Sequence, residues 1–447
     1  MKTPAQSAVT ASADPIPVLK DSFPPLWLSW SVWTIAASFY LAAFYLRASP
    51  AVMTSELMRD FGIGAVALGN LSAFYYYAYV VMQVPTGVLV DSWGARRLLI
   101  LGAIVAAAGV FLFGSTSSFV VACIGRALVG GATAVGWVVT LKLATHWFPS
   151  RLFATLSGLG LLIGNIGALM AQVPLRLLVE HFGWRATVLG SGFAVLFVGV
   201  IAALVVRNDP SQRNYLTYAP SALQARHQVK ILDLLKGFKR IFGYRNTWLI
   251  FLAQGGIVGA LLSFTGLWGV PFLKVRFGLE STSAAGVCSV MIVFWAVASP
   301  ICGHLSDRIG RRKPIYLAGT LLAAIGWAVM FYVTALPLAG FIVVAAITSM
   351  ASGAVVLGFA YTKESVPVQF LGTISGSINM GNMIGPMVLQ PSIGWILDRT
   401  WNGETAGGLR AYGVGGYQQA FILVVAWIAI SCILISFTKE TRCRQTA

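Results

Sequence analysis

Gly87-Val-Leu-Val-Asp91-Ser-Trp-Gly94-Ala-Arg96-Arg97 is a polar hinge between two long apolar runs, and it returns as Gly303-His-Leu-Ser-Asp307-Arg-Ile-Gly310-Arg311-Arg312-Lys313. Gly, Asp, Gly and a basic pair recur in the same order, displaced by 216 positions, about half of the 447-residue chain. A repeat on that scale implies two halves built from one duplicated unit. A second pair agrees. Ala154-Thr-Leu-Ser157-Gly158 matches Gly372-Thr-Ile-Ser375-Gly376, and Ile166-Gly167 and Gln172 match Ile384-Gly385 and Gln390, all displaced by 218.

The solvent of this chain follows from its composition. Hydrophobic residues make up 57% and charged residues 10%, against about 25% charged in a soluble globular protein. So few charges cannot cover a soluble surface. Apolar runs of about 20 residues, enough to cross a hydrocarbon core, occur repeatedly. The alternation expected of outer-membrane strands is missing, so helices must satisfy the backbone within the lipid. The expected fold class is an all-α membrane protein with twelve transmembrane helices in two pseudo-symmetric six-helix bundles.

The expected division is a polar tail over 1–26, a first bundle over 27–206, a linker over 207–245, a second bundle over 246–437 and a short tail over 438–447. The first span is read from about Trp27 to Met58, the second from about Val66 to Val90 and the third from about Leu98 to Phe113. The others are read near 119–145, 153–175, 186–206, 247–272, 283–303, 314–333, 338–361, 369–396 and 417–437. The N-terminal tail lacks a short apolar core followed by a small-residue cleavage site, so no removable signal peptide is expected.

The net charge of +17 does not point to nucleic acid, because the basic residues lie between apolar runs. About 22 of the 31 Lys and Arg fall on one side of the spans, which the positive-inside rule makes cytoplasmic, together with both termini, in an inner membrane. Ile231, Leu234, Leu235, Phe238 and Ile241 repeat at helical spacing in the linker, with Lys230, Lys236, Lys239 and Arg240 on other faces. That pattern fits either a helix resting on anionic lipid headgroups or a solvated basic linker. Four of the five cysteines lie in apolar segments, and no disulfide framework is expected.

Two six-helix halves, each with a G-x-L-x-D-x-x-G-x-R-R/K type loop after its second helix, resemble the major facilitator superfamily of transporters, and the resemblance covers about residues 27 to 437. It implies alternating access, a small-molecule substrate, no cofactor and a monomer. It also implies that the loops are conformational latches: Gly87, Asp91, Gly94, Arg96 and Arg97 in one half, Gly303, Asp307, Gly310, Arg311 and Arg312 in the other. Asp91 can accept hydrogen bonds at a helix end and the arginines can hold a carboxylate or headgroups. Arg126, in Gly125-Arg126-Ala-Leu-Val-Gly130-Gly131, resembles the fourth-helix arginine of the same superfamily and is grouped with the latch; the alternative is a structural role, paired or bonded to backbone carbonyls.

Arg47 is the sharpest substrate candidate. It sits inside the first apolar run in Phe44-Tyr-Leu-Arg47-Ala-Ser-Pro50, where a charge costs about 2.5–3.5 kcal/mol on insertion scales unless it meets water, a partner or a substrate. Tyr40 and Phe44 share its helical face, giving an aromatic wall beside a guanidinium able to take a carboxylate bidentately. Snorkelling to the interface is the alternative. The position resembles the first-helix arginine of the organophosphate and organic-anion branches, and the stretch from Tyr40 to Phe61 resembles phagosomal nutrient transporters. Tyr76, Tyr79, Gln83, Asn165, Gln254, Trp268, Asn379 and Asn382 complete the expected polar path; each is alternatively a helix-to-helix hydrogen bond.

No Asp or Glu falls in the middle of a span, so a buried carboxylate proton relay is hard to build. No G-x-x-x-x-G-K-[ST] or H-E-x-x-H pattern is present, which leaves ATP hydrolysis and zinc catalysis without apparatus. Metal and enzymatic activity are not expected. The expected function is secondary active transport of a carboxylate-bearing organic acid or amino acid; the alternatives are a nucleoside or other nutrient importer, or a non-transporting nutrient receptor.

Overall fold

The computed structural model describes residues 22–219, 237, 239–367 and 370–445. Among these, eleven helices are long and apolar enough to cross a membrane: Leu26–Val52, Ala65–Ser92, Ala95–Ser115, Phe119–Trp147, Ser150–Phe182, Trp184–Val205, Arg245–Phe277, Ser281–Ile309, Lys313–Tyr332, Leu338–Glu364 and Val414–Ser436. A further helix, Leu371–Arg399, lies between the last two. Its Ser, Asn and Gly content and its internal Pro386 and Pro391 dilute its hydropathy. With it the chain has six spans on each side of the linker, numbered here first to twelfth in chain order.

The first span is shorter than its apolar pattern. The α-helix stops at Ala48 and continues as a 3-10 turn, Ser49–Val52, with Pro50 in its first positions. Pro50 cannot donate to the α-helical ladder. A separate helix, Thr54–Phe61, then follows and is closed by Gly62 in the left-handed region, φ +63°. The third span is longer than expected. It begins at Ala95, so Arg96 and Arg97 form its first turn instead of standing in a loop. Between the eleventh and twelfth spans Thr405–Ala406 pairs with Leu409–Arg410 in a two-stranded ribbon. Of the amphipathic linker pattern, Ile231, Leu234, Leu235 and Phe238 lie outside the described residues.

Glycines set the closest helix approaches. A Cβ on Gly167 would strike the carbonyl of Leu41, and one on Gly164 would meet Tyr40, so the fifth span lies tightly on the first. The second half repeats this contact. Gly381 faces the Phe251 carbonyl and Gly385 faces Gly255 and Gly259, which puts the eleventh span on the seventh. Without a hydrophobic drive between helices in lipid, such backbone approach is what holds spans together. One irregularity breaks the symmetry: Phe264–Trp268 forms a π-helical turn inside the seventh span, with no counterpart in the first.

The two halves meet most closely along the second and eleventh spans. Gly69 lies against Gln390 and Pro391, and Gly394 against Ala65, near one end of the pair. The opposite end, which carries the linker and both chain ends, is called here the terminal face and its counterpart the distal face.

Candidate functional site

The distal face is closed by bonds between the halves. Asp398, at the end of the eleventh span, accepts from the backbone N–H of Ala65 at 3.2 Å and of Val66 at 2.9 Å. These groups open the second span, whose own N-cap residue, Gly64, has no side chain to offer. A Cβ on Gly64 would stand 2.9 Å from the Asp398 carboxylate oxygens, so glycine is what lets the acid in. On the other diagonal, the Thr282 hydroxyl at the start of the eighth span donates to Glu180 at 3.1 Å. Gln172 Nε2 on the fifth span donates to the carbonyl of Thr265 at 3.0 Å, inside the π-helical turn. Gln390, its repeat partner, donates to Leu262 at 3.3 Å. A π turn leaves carbonyls without helical partners, and these glutamines engage the carbonyls around it.

The terminal face is the more open of the two. Added Cβ atoms at Gly87, Gly158, Gly303, Gly372 and Gly376 would meet nothing within 4 Å, and the ends of the fifth and eighth spans there are largely exposed, while that of the second is mostly half-buried. The middle of the molecule holds a small cavity lined by both halves.

Arg47 lines that cavity together with Tyr76, Asn165, Thr265, Gly266 and Trp295, six residues from five spans and both halves. Its guanidinium lies 3.9 Å from the Phe44 ring centroid and 4.0 Å from the Met383 sulfur. Only 5% of Arg47 is exposed, which removes the snorkelling alternative. Among the described residues it has no carboxylate within ion-pair distance. Asn165 donates to Leu161 in its own helix and leaves its Oδ1 without a partner, as does Asn382. Asn379 donates to the Tyr79 hydroxyl at 3.3 Å, bridging the halves about one turn beyond Tyr76 toward the terminal face. Gln83 is half-buried on the open side.

Three expected site residues serve packing. Gln254 is fully buried between the seventh and tenth spans and donates to Val355 at 3.1 Å. Trp268 gives its indole N–H to the Gln390 carbonyl at 3.1 Å. Tyr40 packs on Phe44 and Trp137 against Gly164 and is 7% exposed, so it supports the aromatic wall from behind. Their helical periodicity gave the right span but not the face, because a bundle buries polar side chains between helices as well as around a cavity.

Arg126 does not belong with the latch. Its Nη1 donates to Leu46 O at 2.7 Å and its Nη2 to Arg47 O at 3.5 Å, both carbonyls at the end of the first helix. Its guanidinium lies over Tyr75 at 5.3 Å. Arg126 thus anchors the turn that presents Arg47.

The two latches use the repeated motif differently. In the second half Arg312 donates to Asp307 at 2.6 Å and to Glu364 at 2.8 Å, and it is buried, whereas Arg311 is exposed. Gly310 closes the helix with φ +71°. Glu440, from the C-terminal tail, accepts from the backbone of Arg312 and Lys313, both at 3.0 Å. In the first half Arg96 meets no carboxylate among the described residues: its backbone donates to Asn208 at 2.7 Å and its Nη2 to Ala203 O at 2.7 Å. Asp91 pairs instead with Lys142 at 2.7 Å, and Arg97 is exposed. Gly94 turns at φ +85° directly over the Asn208 side chain.

Sequence reading missed Asp398, Glu180, Lys142 and Glu440. The first two had a signal. Glu180 and Asp398 share the displacement of 218, and Val66 and Thr282 share that of 216. Nothing in the sequence joins Lys142 to Asp91.

The profile of the Major Facilitator Superfamily matches residues 32–390 and 269–445. A putative tartrate transporter of Agrobacterium vitis is 27% identical, covering 91% of this chain and 90% of its own. A probable galactarate/D-glucarate transporter, GudP, of Escherichia coli is 25% identical, covering 89% and 92%. Among solved structures, a bacterial homologue of the human lysosomal transporter Spinster, inward-facing and unoccupied, superposes with a TM-score of 0.73 at 17% identity over 92% of this chain and 97% of that one. The nucleoside transporter NupG gives 0.66 at 14% over 92% and 100%. The chain belongs to the Major Facilitator Superfamily and is an integral, multi-pass membrane transporter, not an enzyme.

Proposed function

We propose that this protein is a secondary transporter that carries a small carboxylate-bearing organic acid across the inner membrane by alternating access, with Arg47 as the anchor of the anion. The observation that carries the reading is the buried Arg47 guanidinium, backed by Phe44, without a carboxylate partner among the described residues, in a cavity lined by both halves. A guanidinium in that setting is a bidentate receptor for a carboxylate. Hydroxyl and amide groups nearby, Tyr76, Asn165 and Thr265, suit the hydroxyls of a sugar acid. The names of the tartrate and galactarate/D-glucarate relatives support the same class. An amino acid fits less well, because its ammonium would need a carboxylate that the described residues lining the cavity do not supply.

In this reading residues 27–206 and 246–437 rock against each other, the 207–245 linker joins them, and the terminal face is cytoplasmic because Lys and Arg crowd there. The substrate shifts the balance only through its different affinity for the two states.

Uptake of labelled tartrate, galactarate or gluconate into vesicles of the purified chain tests the proposal. Arg47→Gln is expected to weaken binding roughly 30-fold, the value of a charge-assisted hydrogen-bond pair. Unchanged affinity in that variant removes the anchor, and binding without movement points to a receptor.

A further inference from the structure

We infer that the substrate carries one carboxylate and no second anionic group: Arg47 takes the anion, and the rest of the cavity offers hydrogen-bond acceptors and an apolar wall to a hydroxylated remainder. This rests on the reading of Arg47 given above and narrows its substrate from organic acids at large to hydroxy monocarboxylates.

Positive charge in the cavity is limited to one group. Among the described residues that line it, Arg47 is the one cationic side chain. Its guanidinium is packed on the Phe44 ring at 3.9 Å and beside the Met383 sulfur at 4.0 Å. A thioether is a weak acceptor, so the donor fork keeps its capacity for one carboxylate. The other guanidinium buried in the first half, Arg126, spends Nη1 and Nη2 on the carbonyls of Leu46 and Arg47 and lines a separate cavity within that half. Lys142 is held by Asp91 at the terminal face. Neither lines the cavity of Arg47.

The neutral polar groups of the cavity face it as acceptors. Asn165 gives its amide N–H to Leu161 O at 3.0 Å, which fixes the amide and leaves Oδ1 buried without a partner. Thr265 gives its hydroxyl hydrogen to Leu261 O at 2.8 Å, so its oxygen lone pairs are what remain. The Tyr76 hydroxyl is engaged with Gln390. Ile292 and Trp295 supply the wall from the eighth span; an indole N–H is a neutral donor and balances no charge.

An alcohol O–H can donate to Asn165 Oδ1 and Thr265 Oγ1. An ionised carboxylate, which only accepts, cannot. A dianion would set its second carboxylate against acceptor oxygens and apolar surface, with the one positive charge already spent on the first. A diacid is therefore expected to bind roughly 100-fold more weakly than the monoacid that differs from it only in a CH2OH at the far end, the penalty for an unpaired charge away from water.

Calorimetric titration of the purified chain tests this with three such matched pairs: threonate against tartrate, gluconate against glucarate and galactonate against galactarate. At neutral pH both carboxylates of each diacid are ionised. The monoacid of at least one pair is expected to bind roughly 100-fold tighter than its diacid, and Arg47→Gln to weaken it. Asn165→Leu is expected to weaken the same monoacid roughly tenfold, the value of one hydrogen bond. Asn165→Lys, which brings in a second cation, is expected to close most of the gap within the pair. A diacid that binds the wild type as tightly as its monoacid overturns the single-charge inference, and if Arg47→Gln weakens that diacid the anchor reading stands. Binding that Arg47→Gln leaves unchanged, or no binding of any of these acids, overturns the anchor and the inference together.

Discussion

Asp398 supplies the N-cap that Val66 lacks in its own helix: the carboxylate of the eleventh span accepts the Val66 N–H at 2.9 Å and that of Ala65 at 3.2 Å. Tyr412, at 2.6 Å, and Arg410, at 3.1 Å, hold the acid from its own half. A helix N-terminus carries unsatisfied N–H groups and a partial positive charge, so an acid delivered from the other half is a clasp that opens when the halves part. Glu180 and Thr282 form the pseudo-symmetric clasp, with Arg176 holding Glu180 at 2.8 Å.

Asp398→Ala removes one clasp without touching the cavity. Losing a cap costs about 1 kcal/mol, a shift of roughly fivefold toward the distally open form. A cysteine placed at Val66 is expected to react several times faster with an impermeant maleimide in the Asp398→Ala background. Unchanged labelling would show that the glutamine contacts alone hold the seal.

Arg126→Gln is expected to weaken substrate binding indirectly. It frees the Leu46 carbonyl inside the protein, a loss of about 1–3 kcal/mol, and loosens the turn that presents Arg47. Half-saturation is expected to rise several-fold with a smaller change in maximal rate, and Arg126→Lys to recover part of it by keeping one donor. A fall in maximal rate at constant half-saturation would contradict a positioning role.

Arg312 and its neighbour Arg311 are expected to separate by stability. Arg312 is buried against Glu364, and removing one partner of a buried pair costs about 3–5 kcal/mol. The bond to Asp307 adds little, since Asp307 is exposed. Arg312→Ala is expected to lower the melting temperature in detergent clearly, and Arg311→Ala, with a stability change within about 0.5 kcal/mol, to leave it near that of wild type.

Acid is expected to release the start of the linker. Burial alone would raise the Asp209 pKa, but hydrogen bonds from His146, Ser211 and Thr217 outweigh it and hold the carboxyl well below its ordinary range. A group with a depressed folded pKa stabilises fully above its unfolded value, about 3.9, and loses that contribution as pH falls below it. Proteolytic nicking near residues 207–219 is expected to increase under acid in the wild type. Asp209→Asn is expected to be nicked already at neutral pH, with a flatter acid response.

The duplicated hinge and the apolar runs carried most of the architecture, because a helix that must cross lipid has a length and a hydropathy that local sequence cannot hide. Boundaries were less legible at Pro50, where apolar character continued past the end of the α-helix, and in Leu371–Arg399, where packing in the interior replaced hydropathy. The latch illustrates the same limit. Asp91 and Asp307 occupy equivalent places in the repeat, yet one takes Lys142 and the other Arg312.

Sequence by itself determined a two-fold helical membrane protein with an arginine at an expensive depth and no acid beside it, because composition, period and charge are properties of the chain. The tertiary structure alone decided which polar groups face the cavity, that Arg126 serves the first helix and not the latch, and that Asp398 and Glu180 close the distal face. Those outcomes depend on how one half is set against the other, and contacts between residues hundreds of positions apart leave no trace in local pattern.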